Sequence, residues 1–177
     1  MLFLAWHAGA QTILTHNTCG PVVKTTNHSC ESSYIYWGRD FRLEDFGITG
    51  DEELVIETGE VGLSYTSWGA TIQFNIYKID DNFPASFAAS DLLGSSQEVQ
   101  VWVHETNPPE IIRIDFDNPV VIPADVEHIL VEVKKGVVPN ASGIAHIAGT
   151  LVDSGTSWYR GCIAGENYVD AEETTGV

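Results

Sequence analysis

Basic residues are scarce in this chain, which has 8 lysines and arginines against 25 aspartates and glutamates. The formal charge of −17 at pH 7 disfavours nucleic acid as a partner, because phosphate contacts require clustered lysine and arginine. The same shortage disfavours an anionic membrane surface. The acidic charge is otherwise typical of a solvated surface, although carboxylates in loops are also ligands for Ca²⁺.

Long hydrophobic runs and the residues that favour helices are also lacking. No stretch is long enough to span a bilayer, so membrane insertion is not expected. The chain has one methionine among 177 residues, whereas valine, isoleucine, threonine and glycine, which favour strands and turns, are frequent. A chain of this length corresponds to one domain that can bury its own core.

Apolar and polar residues alternate in several segments, as they do in strands with one buried and one wet face. In segment 71–79 this alternation turns Ile72, Phe74 and Ile76 toward the core. Similar alternation recurs in segments 98–105, 111–117 and 128–135, with turn-forming residues between them. The pattern predicts an all-β fold: an antiparallel β-sandwich, jelly-roll-like, with about eight or nine strands.

Cysteine is limited to Cys19, Cys30 and Cys162, and no C-x-x-C occurs, so a zinc knuckle is not supported. Export from the cell would permit disulfides. Cys19 and Cys30 lie eleven positions apart and could close a hairpin-like loop, which makes them the first predicted pair. Cys162 would then be free, or would pair with one of the other two instead.

The N-terminus has a short apolar run but no basic region before it. Small residues at positions 8 and 10 match the A-x-A pattern of signal-peptide cleavage sites. The predicted organisation is residues 1–10, a remnant of a signal peptide; residues 11–32, an N-terminal segment with Cys19 and Cys30; and residues 33–177, the β-sandwich domain. The alternative for the first segment is an ordinary N-terminal strand.

Catalytic signatures are lacking as well, since neither G-x-S-x-G nor H-E-x-x-H occurs and the six histidines are scattered. The carboxylate pair of a glycoside hydrolase meets in space and not in sequence, so 25 acids leave that chemistry open. The chain is therefore expected not to be an enzyme, and a small polysaccharide hydrolase or lyase is the weakest alternative.

Aromatic residues are present, and the alternation places Trp102 and Tyr77 on the polar faces of their strands. Such rings can bind sugars, because the C–H face of a pyranose packs on them while its hydroxyl groups bond nearby polar groups. The predicted ligand-binding residues are Trp102, Tyr77, Trp68 and Trp37. The alternative is that these rings pack under loops or across strands.

Oxygen ligands for a metal ion are available in one turn, where Asp80, Asp81 and Asn82 form the predicted site. Carboxylate and amide oxygens are ligands for Ca²⁺, the one cofactor that the sequence suggests. A second set of candidate ligands is Asp40, Asp45 and Asp51. The EF-hand pattern does not occur, and solvated turn residues are the alternative for both sets.

Four segments together resemble a known type of module: RDFRLEDFGITGDEELVIETGEVGL, GATIQFNIYKIDDNFPASF, NPVVIPADVEHILVEV and SWYRGCIAG. They resemble the β-sandwich accessory domains of secreted bacterial proteins, notably from Bacteroidota, over about residues 33–165. DFGITGD and NIYKIDDNFPASF carry most of the likeness. The resemblance implies an extracellular, non-catalytic module beside catalytic or adhesive ones, and it transfers no functional residues.

The expected function is that of a non-catalytic extracellular binding module for a glycan or a cell-surface polymer. The alternative is a structural or assembly module that contacts other protein subunits, neighbouring domains or further copies of itself. The expected location is extracellular or at the cell surface.

Overall fold

The computed structural model describes residues 2–7, 10–17, 23–24, 34–50, 53–104, 108–139, 141, 143–150, 155–161 and 167–171. Within these ranges, antiparallel strands form two sheets that pack against each other. The predicted all-β sandwich is confirmed, whereas the jelly-roll connectivity stays a prediction. The strands are β1 (Leu2–His7), β2 (Ala10–Thr15), β3 (Val23–Lys24), β4 (Ile35–Arg42), β5 (Leu54–Thr66), β6 (Ala70–Lys78), β7 (Leu92–Ser95), β8 (Val99–Gln100), β9 (Glu110–Ile122), β10 (His128–Val137), β11 (Ala145–Gly149), β12 (Ser157–Gly161) and β13 (Val169–Asp170).

These thirteen strands exceed the eight or nine that the alternation predicts. Three of them, β3, β8 and β13, have only two residues each and are too short to show alternation in a sequence. Two short 3₁₀ helices, Leu43–Phe46 and Ala89–Asp91, follow β4 and precede β7.

The first sheet is built around β5. One edge of β5 pairs with β9, while β1 and β11 follow one another along the other edge. β2 pairs with β1, and β3 pairs with β11. β5 runs without interruption through Gly59, where a Cβ would lie 2.7 Å from the Phe74 ring. Gly59 therefore lets the Phe74 ring of the opposite sheet approach the backbone.

β1, β2 and β3 lie before residue 33, where the sequence placed the start of the sandwich. They pair within the first sheet, and the division of the chain at residue 33 stays a prediction. The origin of residues 1–10 as a signal-peptide remnant stays a prediction, while Leu2–His7 is a strand, as the alternative states.

The second sheet has the order β13, β12, β4, β10, β6, with β7 and β8 following one another along the outer edge of β6. Its inner face carries Ile72, Phe74 and Ile76, which are fully buried as predicted. Phe74 stacks on Phe116 of the first sheet, with ring centroids 6.3 Å apart. The core therefore lies between the two sheets, and the outer face of the second sheet points away from it.

Lys135 lies at the end of the core-facing row of β10 and is fully buried. Its Nζ donates a hydrogen bond to the Gly143 carbonyl at 2.6 Å. Burial lowers the pKa of Lys135 from 10.5 to about 8, because the charged amine loses its water. At neutral pH this ammonium group is therefore kept inside the sandwich at a cost in stability.

Candidate functional site

The outer face of the second sheet is divided into two halves. The half near the start of β10, which we call the covered half, carries Asn75, Tyr77, Glu132 and Arg160, all buried. The other half, which we call the open half, is more accessible to solvent. Its residues are Tyr34, Gln73, Glu98, Gln100, Trp102 and Lys134.

Aromatic side chains from two later segments close the covered half. Tyr77 and Tyr168 are buried together with Ile79 and Leu130, and Phe83, Phe87 and Trp158 pack against this second cluster. The Tyr77 and Phe87 rings meet edge to face, with centroids 5.2 Å apart, and Phe87 meets Tyr168 in the same way at 4.9 Å. The turn after β6 and the segment before β13 thus fold over the sheet and exclude water from it.

Glu132 lies at the centre of the covered half and is completely buried. Its Oε1 accepts hydrogen bonds from Asn75 Nδ2 at 2.7 Å and from the Tyr77 hydroxyl at 3.3 Å. Its Oε2 accepts from Arg160 Nε at 3.0 Å, from a terminal Arg160 nitrogen at 2.7 Å and from the Tyr168 hydroxyl. Both carboxylate oxygens of Glu132 are therefore occupied by protein donors.

The electrostatics of this cluster follow from burial and from the charge of Glu132. Burial first, and then Glu132, raise the pKa of the Tyr77 and Tyr168 hydroxyl groups, so both remain protonated donors. Burial alone would lower the pKa of Arg160, but attraction to the Glu132 carboxylate outweighs it and raises the pKa. The Arg160 guanidinium also lies over the Tyr36 ring, 3.7 Å from its centroid.

This arrangement is chemically complete without a ligand. A general acid or base must reach a substrate, and the Glu132 carboxylate is sealed from solvent with its oxygens already bonded. The Glu132–Arg160 pair instead ties β10 to β12, beneath the rings that cover it. We therefore interpret the covered half as a structural cluster. The sequence does contain a signal for it, a lone glutamate in the otherwise apolar segment ILVEV (129–133), but nothing that identifies its partner.

The open half and the adjacent turn expose two tryptophan rings. Trp68, in the turn between β5 and β6, is 59% exposed, and Trp102, just after β8, is 57% exposed. Trp102 lies between the buried residues Val101 and Val103, as the alternation predicts. Its indole Nε1 is 3.1 Å from His104 Nε2, a contact that restrains the orientation of the exposed ring.

The backbone beneath both tryptophans is held by hydrogen bonds on each side. The Thr66 amide donates to the Val103 carbonyl at 2.8 Å, and the Val101 amide donates to the Ala70 carbonyl at 3.0 Å. Segment 101–103 thus bridges the two ends of the turn that carries Trp68. We call this region, consisting of the turn 66–70 and segment 101–104, the tryptophan end of the sandwich. Its two rings are presented from a fixed backbone.

Polar groups adjoin the tryptophan end on the open half. Lys134 Nζ donates to Gln73 Oε1 at 3.1 Å and lies 3.4 Å from Glu98 Oε2. The Lys134 ammonium also lies 5.0 Å from the centroid of the Tyr34 ring, which is 55% exposed. The open half therefore combines exposed rings with amide, carboxylate and ammonium groups.

Two of the four predicted aromatic platforms are wrong as exposed rings. Tyr77 is on the outer face, as the alternation places it, but it is 5% exposed because Phe87 and Tyr168 cover it. Trp37 is 9% exposed and belongs to the core between the sheets. Trp68 and Trp102 remain, and the structure brings them to the same end of the sandwich.

The predicted calcium ligands Asp80, Asp81 and Asn82 lie in an exposed turn after β6. Asp80 Oδ1 accepts from the Asn82 amide at 2.8 Å and from the Ser86 hydroxyl at 2.5 Å, and these bonds lower the pKa of Asp80. Asp81 Oδ1 is paired with Arg42 at 2.6 Å. Both carboxylates thus have partners within the protein, and calcium binding in this turn stays a prediction.

The second set of predicted calcium ligands is not assembled either. Asp40 Oδ1 accepts from Trp158 Nε1 at 2.7 Å, and Asp40 Oδ2 lies 3.3 Å from His128 Nε2. Burial alone would raise the pKa of Asp40, but the bonds from His128 and Trp158 outweigh it and lower the pKa. Asp45 is exposed, and Asp51 lies outside the described residues. Within the described ranges, no three histidine, cysteine, aspartate or glutamate side chains are grouped as metal ligands.

Cys19, Cys30 and Cys162 also lie outside the described residues, so the predicted Cys19–Cys30 disulfide stays a prediction. In the described part of the chain, no helix is both long enough and apolar enough to cross a membrane.

Comparison with known proteins assigns no family and no function to this chain. No protein-family model, no curated protein and no solved structure matches the chain.

Proposed function

We propose that this chain is a non-catalytic module that binds a glycan through its tryptophan end. The observation that carries the proposal is the exposure of Trp68 and Trp102 on backbone that is hydrogen-bonded on both sides. Single exposed leucines are common on protein surfaces and indicate no function. Two exposed tryptophan rings at one end of the sandwich instead indicate a binding surface, because exposed apolar surface of this kind marks binding sites. The fixed backbone limits the conformational entropy that binding would cost.

The neighbouring side chains suit the hydroxyl groups of a sugar. Tryptophan offers a flat apolar face for the C–H groups of a pyranose, while carboxylate and amide groups accept and donate hydrogen bonds. Gln73 on β6, Gln100 on β8 and Glu98 directly before β8 supply such groups near Trp102. A site that combines apolar walls with a few polar groups is typical of small-molecule and sugar recognition.

We extend the proposal to the setting of the module. The resemblance to β-sandwich accessory domains of secreted bacterial proteins supports an extracellular or cell-surface location. The same resemblance supports a role beside catalytic or adhesive domains. The net charge of −17 fits a soluble module that does not use nucleic acid or an anionic membrane as its partner.

Affinity gel electrophoresis on a panel of polysaccharides tests the proposal. The chain should be retarded by at least one polysaccharide, and Trp102→Ala and Trp68→Ala should each reduce the retardation. Ile111→Ala is the matched control, because Ile111 is also an exposed apolar residue but lies on β9 of the other sheet. Circular dichroism should show that all three variants keep the wild-type fold.

Two outcomes would contradict the proposal. Retardation that Trp68→Ala and Trp102→Ala leave unchanged would place the site elsewhere. Release of reducing sugar from any polysaccharide in the panel, at a rate proportional to protein concentration, would replace a binding module with an enzyme.

The assembly alternative has one specific observation in its favour. β9 lies at an edge of the first sheet, and its Ile111 and Val121 side chains are about half exposed. However, the Gln97 side chain donates to the Asp115 carbonyl at 2.8 Å and accepts from the Asp117 amide at 3.3 Å. Gln97 thus occupies part of the backbone edge that another strand would need. Light scattering distinguishes the two functions, because an assembly module would form oligomers as its concentration rises.

A further inference from the structure

The register of the second sheet places Tyr34 and Trp102 at opposite sides of the open half. The residues that pair across β4, β10, β6 and β8 are Ile35, Lys135, Ile72 and Val99. Three steps of about 4.8 Å between neighbouring strands separate β4 from β8 by about 14 Å. Tyr34 directly precedes β4 and Trp102 follows β8 by two residues, so the two exposed rings flank the outer surface of all four strands.

The surface between these two rings is polar and has no bulky side chain at Gly136. Gly136 pairs with Thr71 in the next row, and a Cβ at Gly136 would lie 2.5 Å from both Thr71 Oγ1 and Glu98 Oε1. The missing side chain at Gly136 therefore leaves room for the Glu98 carboxylate, to which the Thr71 hydroxyl donates. A ligand that crosses the strands would meet a ring at each end and hydrogen-bonding groups between them.

The charges on this surface favour a neutral ligand. Lys134 supplies a positive charge, but its ammonium group lies 3.4 Å from the Glu98 carboxylate and also bonds Gln73. An anionic polymer would meet the Glu98 carboxylate and the net charge of −17. The hydroxyl groups of a neutral sugar can instead donate to the remaining lone pairs of the Glu98 carboxylate and accept from the exposed Gln100 amide.

We infer that the ligand is a neutral glycan chain of several sugar units that lies across β4, β10, β6 and β8, from Tyr34 to Trp102. This inference rests on the proposed function and adds the chemical class and the direction of the ligand. A single sugar covers one ring and leaves the other side of the open half uncontacted. Chain length should therefore matter, and Tyr34 should contribute although it lies far from the tryptophan end.

Two measurements test the inference. First, affinity gels should show retardation by a neutral polysaccharide, from a panel of xyloglucan, glucomannan and mixed-linkage β-glucan, and none by polygalacturonate or alginate. Second, calorimetric titration should show that the hexasaccharide of the retarding polymer binds at least about tenfold more tightly than its monosaccharide. Tyr34→Ala should lower the affinity for the hexasaccharide by about tenfold, because a well-packed aromatic contact is lost. Ile111→Ala should leave this affinity unchanged.

The outcomes separate this inference from the function on which it rests. Retardation by the anionic polymers alone, with sensitivity to Trp102→Ala, would overturn the neutral ligand and leave a glycan-binding module. Equal affinity for the monosaccharide and the hexasaccharide, or a Tyr34→Ala variant that binds like the wild type, would overturn the extended ligand. Retardation by none of these polysaccharides would overturn both the inference and the proposed function.

Discussion

Glu132→Gln is a substitution for which the structure predicts a large loss of stability. Glu132 accepts five hydrogen bonds, from Asn75, Tyr77, Arg160 (two) and Tyr168. A glutamine fills the same space, but its NH₂ group must face one of the two sets of donors, and the charge of Arg160 stays buried without its counter-ion. Removing one partner of a buried ion pair typically costs about 3–5 kcal/mol.

Urea unfolding followed by tryptophan fluorescence at pH 7 measures this loss. A cost of about 3–5 kcal/mol is a large part of the stability of a domain, and for a chain of this length it lowers Tm by about 10 °C. Glu110→Gln is the matched control, because Glu110 is an exposed glutamate at the start of β9. It should change the free energy of unfolding by less than about 0.5 kcal/mol.

A Glu132→Gln variant that is destabilised no more than Glu110→Gln would refute the buried ion pair as a source of stability. That result would mean that Arg160 finds water or another partner once the carboxylate is gone, and that the covered half is not sealed. A double variant separates charge from packing. Glu132→Leu with Arg160→Leu should be more stable than Glu132→Leu alone, because no buried charge remains uncompensated.

Three further predictions concern other parts of the sandwich. Since the pKa of Lys135 is about 8 in the folded protein and 10.5 in the unfolded chain, the unfolded state binds more protons between these values. The free energy of unfolding of the wild type, relative to that of Lys135→Met, should therefore rise by about 3 kcal/mol between pH 8 and 10.5. If this difference between the two proteins does not change with pH, the burial of the amine is contradicted. Gly59→Ala should lower the free energy of unfolding in urea by about 1–3 kcal/mol, because its Cβ would lie 2.7 Å from the Phe74 ring. Gly50→Ala should lower it by less, because a Cβ at Gly50 meets nothing closer than 3.4 Å. If Ca²⁺ binds in the turn 80–82, EDTA should lower Tm and Asp80→Asn should abolish that effect; a Tm that EDTA leaves unmoved would dismiss a stabilising site.

Alternation in the sequence determined the inner faces of the strands. Ile72, Phe74 and Ile76 are buried in the core, and Trp102 points outward between Val101 and Val103. These features follow from local spacing, since a strand exposes its two faces at alternate residues wherever it lies in the chain. The all-β class could be predicted for the same reason, without knowledge of which strands pair.

The candidate site could be predicted only in part. Trp68 and Trp102 are exposed, but nothing in their spacing showed that a crossing segment brings them to one end of the sandwich. The register of four strands places Tyr34 across the open half from Trp102, which is a long-range property.

The sequence by itself determined that strands form and which of their residues face the core. Only the tertiary structure decided which outer faces are wet. Tyr77 and Trp102 both occupy polar positions in alternating segments, yet Phe87 and Tyr168 cover the first and leave the second exposed. The pairing of Glu132 with Arg160, 28 residues away, was decided in the same way. The physical reason is that alternation records a residue's place within its own strand, whereas covering and pairing depend on distant segments that fold against it.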